Sequence, residues 1–557
     1  MCHVRIRSTL CLALLSGLLA TVGAQDAPIP EGFTKQDQLR GSVSPEREWW
    51  DVQHYALSLE VFPESKSIKG SNLITFKALA SGDRMQIDLQ PPLQVTKVVH
   101  GGSEAKFERE GNVYWVQLGK SVAAGIEDNV QVFYEGRPRQ STRPPWSGGF
   151  SWRKDEKGNP FIATTCQGIG ASIWWPNKDH GYDEPNRGMD IRVTVPEELT
   201  AVANGRLKKS ERDVTKKTRT FHWQVTNPIN NYGVNVNIGK YVVMPSTFEG
   251  EGGQLDVEYW VLEHQQEKAR KQFREVPRTL KAFEHWFGKY PFYEDSYKIC
   301  VVPYLGMEHQ SSVTYGNGFQ NGYKGRDLSN TGVGMKFDFI VVHESAHEWW
   351  GNNISMKDAA DMWIHESFAN YAENLFVEYH FTKGEAQDYV IGCRALIGND
   401  KPIIGTYGVN KSGSGDMYYK GGNMLHTMRH MLRDDKAWRE VLRGLNSEFW
   451  HKTIGTVEFE SYMSRSSGFD FSLVFDQYLR TTKIPEVHYY IGDGEVTVWF
   501  ENVVPGFKVP VGFEVNGAYS RHVVSEEPTV IVAGDREPES VQLDRNYYML
   551  LKKAEKK

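Results

Sequence analysis

The pentad His343-Glu344-Ser345-Ala346-His347 is the stretch of this chain whose residue types and spacing could do chemistry. On a helix, residues four apart lie one turn above each other on the same face, so both imidazoles can reach one metal ion. Glu344 falls about 100° round from His343 and can lean over that ion as a general base without ligating it. The apolar run from Phe337 to Val342 and a stop at Gly351 frame such a helix. Chance alone supplies roughly 0.04 such pentads in a chain of this composition, so a third ligand is needed to decide. Glu366, in His365-Glu366-Ser367-Phe368-Ala369-Asn370-Tyr371, provides it, with eighteen residues between it and His347. It lies on the next helical pattern, where an antiparallel return would bring it level with the histidines. Two His and one carboxylate leave a fourth tetrahedral position for water, the arrangement of a catalytic zinc site with one ion per chain. His426 and His430 also stand four apart, but they lack an intervening Glu and a third ligand, and read as helix-surface or packing residues.

The elements that must position these residues follow from periodicity. From about Trp50 to Val243, apolar and polar residues alternate, as in Tyr55-Ala56-Leu57-Ser58-Leu59-Glu60-Val61, and an antiparallel β domain is expected over 45–245. Helical spacing then appears over 262–287, a short strand over Lys298 to Val302, and a Gly- and Asn-rich stretch from Gly316 to Gly334. Long helical patterns run through Lys336–Trp350, Met362–Tyr379 and Lys420–Leu432, giving a mixed α/β catalytic domain over 246–483. After Ile484 the alternation returns and predicts a small C-terminal β domain over 484–557. The fold class is multidomain α+β.

Composition sets the outer limits. A chain of 557 residues exceeds one ordinary core, so two to four domains are expected. With 40% hydrophobic and 24% charged residues it is an ordinary globular protein, neither disordered nor fibrous. A net charge of −6 with no basic stripe excludes a nucleic-acid binder. Arg5 and Arg7, the apolar stretch Leu10 to Ala20 and the small residues Val22-Gly23-Ala24 read as a cleavable leader over 1–24, which predicts a secreted or periplasmic protein. No segment is long and apolar enough to span a membrane. Cys2 and Cys11 leave with that leader. The remaining Cys166, Cys300 and Cys393 are odd in number and far apart, so no disulfide framework is expected.

With Glu366 in place, the chain resembles the aminopeptidase N family of zinc exopeptidases, of the gluzincin clan, which includes the leukotriene hydrolase. His343, Glu344, His347 and Glu366 match that family's pattern position by position. Leu305-Gly306-Met307-Glu308-His309 sits where the family has Gly-x-Met-Glu-Asn, Tyr418-Tyr419-Lys420-Gly421 where it has Tyr-x-Lys-Gly, and Thr165-Cys166-Gln167 where its N-terminal domain lends a side chain to the substrate amine. The resemblance covers roughly 45–550 and is strongest over 290–425. It implies a thermolysin-like catalytic domain, a C-terminal β-sandwich, one zinc ion, and peptide substrates with a free N-terminus. It further implies Glu344 as base, Tyr418 as oxyanion donor, Glu308 as anchor of the substrate ammonium, and Gln167 as acceptor of one more hydrogen bond from that amine. Gly306 and Met307 are expected beside the substrate, and Tyr304 in the pocket for the first side chain. His309 stands where the family has Asn, Gln167 where it often has a carboxylate, and the long helical C-terminal domain of many relatives is absent. Three readings stay open on this basis: an aminopeptidase, an endopeptidase of the same clan, and a non-catalytic peptide-binding relative.

Overall fold

The computed structural model describes residues 28–533 and 538–555, and the leader expected over 1–24 lies outside them. The first domain is built on an eight-stranded sheet that includes Trp50–Phe62, Ser67–Ala78, Glu127–Gly136 and Met189–Pro196. Most of its pairs are antiparallel, as the alternation predicts. One inner pair is different: Trp50–Phe62 runs parallel to Met189–Pro196, with Leu57 opposite Ile191. A parallel pair needs a long crossover, and the chain between these strands supplies one, building a three-stranded sheet and half of a four-stranded one on the way. The four-stranded sheet contains Pro160–Thr165, which ends directly before Cys166 and Gln167.

The catalytic region opens with a hairpin, β1 (Tyr241–Gly250) and β2 (Gly253–Leu262), that belongs to its five-stranded sheet. β3 (Tyr297–Val301), β4 (Gly306–Met307) and β5 (Val313–Tyr315) complete the sheet in the order β1-β2-β3-β5-β4, which leaves β4 on an edge. Against it pack α1 (Glu275–Phe287) and α2 (Phe339–Ala346); α3 (Trp363–His380) lies on these two helices, and α4 (Tyr419–Leu432) packs on α3. All eight residues of α2 are buried, as are the first fifteen of α3, the pattern of central helices rather than surface ones.

The C-terminal region forms a four-stranded and a three-stranded sheet around Val496, Val498, Val511 and Phe513. It docks on α4, where His426 Nε2 meets Asn546 Oδ1 at 3.0 Å and the Tyr548 N–H donates to Thr427 Oγ1 at 2.9 Å. His426 is thus a buried packing residue and no part of a helix surface. Cys166, Cys300 and Cys393 are buried free thiols. Among the described residues, no helix is long and apolar enough to cross a membrane.

Candidate active site

Asp338 fixes where the zinc-binding pentad begins. It caps α2, its carboxylate accepting from the Ile340 and Val341 N–H groups at 3.1 and 3.3 Å. The same carboxylate accepts from Tyr315 at 2.8 Å and Asn317 at 2.9 Å, which ties the helix start to the sheet. The helix ends earlier than its apolar pattern suggests, at Ala346, with His347 as its cap. His347 keeps helical angles (φ −64°, ψ −16°), so it still lies one turn from His343, with ring centres 5.0 Å apart. The chain then turns at Gly351, whose φ of +130° favours glycine, and a side chain there would sit 3.4 Å from His347 Nδ1.

Glu366 enters from the first turn of α3. Its Oε2 lies 3.7 Å from His343 Nε2 and 3.4 Å from His347 Nε2. Donor atoms around one tetrahedral zinc ion stand about 3.3 Å apart, so these separations fit that ion. Three further observations agree. Glu366 Oε2 is buried with no hydrogen-bond partner. His343 Nδ1 donates to Glu373 Oε1 at 2.7 Å, and His347 Nδ1 donates to the Trp350 carbonyl at 2.8 Å. Both outward nitrogens are therefore committed, and both inward nitrogens face the Glu366 oxygen.

The electrostatics are those of a site built to hold positive charge. Burial opposes protonation of His347, but Glu308 and Glu366 outweigh it and lift its pKa to about 9. Burial likewise opposes protonation of His343, and Glu366 and Glu373 carry it well above the usual histidine value. Burial would raise Glu366, yet the two imidazoles hold it well below the carboxylate range. Glu344 goes the other way: burial, opposed by the imidazoles and reinforced by Glu308, pushes it up to about 8.

These residues line a cavity of about 630 Å³, a normal size for a small-ligand site. Gly306, Met307, Glu308, Gln167 and Tyr418 all line it, with His343, Glu344, His347 and Glu366. Gly306 is needed for space, because a Cβ there would lie 2.6 Å from Ile340 and 3.2 Å from Glu344 Oε1. Tyr418 stands at the start of α4 with its ring 6.1 Å from that of His343. Its placement depends on close approach of α4 to α3. Gly421 allows this, since a Cβ there would press on Ser367 Oγ at 1.9 Å. Burial and the carboxylates of Glu366 and Glu308 keep the Tyr418 hydroxyl protonated far above pH 10.

Two expectations change on the structure. Tyr304 is not among the cavity-lining residues. Its hydroxyl instead donates to the Thr164 carbonyl at 3.1 Å and meets Thr314 Oγ1 at 3.2 Å, which fastens the β3–β4 connection to the first domain. Gln167 points its amide nitrogen, not its oxygen, into the site: Nε2 donates to Glu308 Oε1 at 2.6 Å and to Glu366 Oε1 at 2.9 Å. His309 is buried beside Thr314 and driven by burial to a pKa of about 3, so it is a neutral packing residue of this loop.

The structure also adds residues that the sequence reading missed. Glu373 orients His343, and its other oxygen accepts from the Tyr389 hydroxyl at 2.6 Å. Its seven-residue spacing from Glu366, two helical turns, is a signal that could have found it. Pro145 and Trp146, from a loop of the first domain, line the cavity together with Leu396, and nothing local in the sequence marks them. No residue beyond Tyr419 and no Lys or Arg lines the cavity among the described residues.

Comparison with known proteins agrees with this geometry. The Peptidase family M1 domain matches residues 272–478, and the Peptidase M1 N-terminal domain matches residues 51–232. Curated relatives include a probable aminopeptidase 2 from Sulfurisphaera tokodaii, 21% identical over 81% of this chain and 58% of its own length. Another is leukotriene A-4 hydrolase from Xenopus laevis, 23% identical over 76% of this chain and 69% of its own. The chain spans little more than half the length of the archaeal relatives it matches. Among solved structures, a variant of an M1 zinc metallopeptidase from Deinococcus radiodurans with a bound Tyr-Ser-Ala substrate superposes with a TM-score of 0.66 at 20% identity, covering 80% of this chain and 98% of that one. A two-domain M1 zinc metallopeptidase variant bound to L-tryptophan gives 0.67 at 21% identity, over 79% of this chain and 97% of that one. At such identities these structures speak for the fold, while the two domain matches span most of the chain. The zinc-ligand arrangement, the cavity and both domain matches place this protein in peptidase family M1.

Proposed function

We propose that this protein is a zinc aminopeptidase that removes residues one at a time from peptides with a free N-terminus. The observation that carries this reading is the position of Glu308. Its carboxylate lies within 4.8 Å of the functional atoms of Glu344 and His347, in a cavity lined by no cationic Lys or Arg among the described residues. A buried carboxylate there needs a positive partner, and the ammonium of a peptide N-terminus is one.

His343, His347 and Glu366 would hold the zinc ion, which supplies Lewis acidity toward a carbonyl and lowers the pKa of water. With a dication held by those three residues Glu344 would be ionised despite its burial, and its carboxylate takes the proton of the attacking water and passes it to the leaving amine. The Tyr418 hydroxyl stays protonated at any working pH and donates to the oxyanion that develops on the scissile carbonyl. Glu308 binds the ammonium and so sets which peptide bond lies over the metal donors. A blocked N-terminus would leave that carboxylate desolvated with no positive partner, which is the source of exopeptidase selectivity. The apolar wall of Leu305, Met307, Leu396 and Trp146 receives the first side chain. The leader over 1–24 supports export, so the substrates are peptides outside the cytoplasm.

The test is Glu308→Ala. A charge-assisted contact of this kind contributes about 1.5–3 kcal/mol, so kcat/KM on free-amine peptides should fall about ten- to a hundredfold. An unchanged kcat/KM would remove Glu308 from the anchor role.

A further inference from the structure

Gln167 reaches Glu308 and Glu366 from a tight turn of the first domain, and that turn is fastened from two sides. Within it, the Ile169 N–H donates to the Gln167 carbonyl at 2.8 Å and the Gly170 N–H to the Cys166 carbonyl at 2.7 Å. Such a turn requires glycine at 168 and 170, whose φ values are +73° and +94°. The carbonyl of Gly168, directly after Gln167, then accepts two hydrogen bonds from distant parts of the chain. Arg40 Nη2 donates to it at 3.2 Å and Asn410 Nδ2 at 2.9 Å.

Arg40 stands in the last turn of a short helix, Lys35–Gly41, which the packing of Leu39 on Val113 and Trp115 fixes to the first domain. His180 Nε2 donates to the carbonyl of Gly41 at 3.0 Å and fixes the end of the same helix. Asn410 belongs to the catalytic domain, between Leu396 and Tyr418, both of which line the cavity. The three segments meet without spare room. A Cβ on Gly41 would lie 1.9 Å from the backbone nitrogen of Asn410, and one on Gly170 would lie 2.2 Å from Arg40 Nη2.

We propose that Asn410 is a positioning residue for amine recognition: together with Arg40 it fastens the Gly168 carbonyl and so fixes Gln167 against the amine anchor. Gln167 Nε2 donates to Glu308 Oε1 at 2.6 Å and to Glu366 Oε1 at 2.9 Å. A flexible side chain meets two carboxylates at once only if its backbone is held, and holding it beforehand reduces the ordering that accompanies binding. The bond from Asn410 crosses between the domains. The geometry of the amine anchor therefore depends on contact between the first domain and the catalytic stretch that leads to Tyr418.

Because this role rests on the aminopeptidase reading, the experiment separates the two. Zinc-loaded full-length protein carrying Glu344→Gln is titrated by calorimetry with Phe-Ala-Ala and with 3-phenylpropanoyl-Ala-Ala, which lacks only the amine. Equal affinities in this parent would refute the amine anchor itself, and with it the role of Asn410. If the parent favours the amine peptide, adding Asn410→Gly should weaken that peptide about three- to tenfold and leave the des-amino peptide within about twofold. Glycine suits the position, because Asn410 has a φ of +49°, so the change removes the donor without straining the backbone. Asn410→Asp keeps the shape but cannot donate at pH 7, and it should weaken the amine peptide at least as much. In the active enzyme, both variants should raise KM far more than they lower kcat. Equal weakening of both peptides, or an unchanged ratio, would overturn the inference and leave the anchor standing. In a Gln167→Ala background, Asn410→Gly should have no further effect on the ratio of affinities, because the side chain it positions is gone. A ratio untouched by Gln167→Ala alone, or an additive loss in the double variant, would overturn the inference too.

Discussion

Glu373 makes no contact with the scissile bond, yet its removal should be felt first at the metal. Its carboxylate is wholly buried and accepts from His343 Nδ1 at 2.7 Å, from Tyr389 at 2.6 Å and from Asn370 at 3.3 Å. In Glu373→Ala the first of these bonds is lost, and the imidazole can rotate away from the Glu366 oxygen. A hydrogen bond of an imidazole to a carboxylate contributes about 1.5–3 kcal/mol, and loss of such partners usually lowers metal affinity about ten- to a hundredfold. The two estimates agree. The Tyr389 hydroxyl and the Asn370 amide also lose their acceptor, so the variant should unfold at a lower temperature even when saturated with zinc. Glu373→Gln keeps an oxygen that can face His343, and its loss of affinity should be tenfold or less. The assay is competition for zinc against a chelator of known affinity, which reads metal binding without reference to turnover. A Glu373→Ala protein that binds zinc within about twofold of the unmodified chain would refute the claim that this carboxylate orients the ligand.

Three other outcomes follow from the site. Glu344→Gln should lower turnover by several orders of magnitude while zinc stays near one per chain, and loss of metal instead would contradict its role as base. Zinc binding to chelator-stripped protein at pH 7 should release at least two protons, because the surrounding carboxylates lift His347 to about 9 and His343 well above its usual value, and Glu344, pushed by burial to about 8, ionises beside the cation. The sign follows from those shifts: both imidazoles bind protons more tightly than free histidine, so apparent zinc affinity falls as pH drops below about 9. Calorimetry in buffers of different ionisation enthalpy counts the protons, and a count near zero would contradict this charge balance. Finally, no residue beyond Tyr419 lines the cavity among the described residues, so kcat/KM should differ little between tripeptides and ten-residue peptides that share their first two residues. A steep fall beyond four or five residues in a monomer would show the cleft closed by another element.

How much of this was legible beforehand depended on whether the placing force was local. His343, His347 and Glu366 could be read because helical periodicity alone sets which side chains share a face. Helix ends were less legible. The apolar run predicts α2 to Trp350, but the chain leaves the helix at Ala346 to make the turn at Gly351, and His347 survives as a ligand because its cap angles remain helical. Tyr304 misled for a different reason. An aromatic residue two positions before a substrate-binding Gly suggests a pocket wall, and only the tertiary fold reveals Thr164 as the partner that claims its hydroxyl. Trp146 and the orientation of Gln167 had no local signature at all. They reach the site because the first domain folds against the catalytic sheet through contacts such as Asn204 Nδ2 to the Gln310 carbonyl at 2.7 Å. The parallel pairing of Trp50–Phe62 with Met189–Pro196 was hidden likewise, since alternation within a strand says nothing about the direction of its neighbour.

The claim at the centre of this account is that a carboxylate beside the metal donors selects a free N-terminus. Its most direct measurement compares kcat/KM for one tripeptide with that for its N-acetylated form, on protein with one zinc per chain. The account predicts that the acetylated peptide is cleaved about ten- to a hundredfold more slowly, because it loses the ammonium contact of about 1.5–3 kcal/mol and leaves Glu308 buried without a cationic partner. Glu308→Ala should then bring the two rates close together. Equal hydrolysis of both peptides by the unmodified protein would contradict the account and leave an endopeptidase in its place.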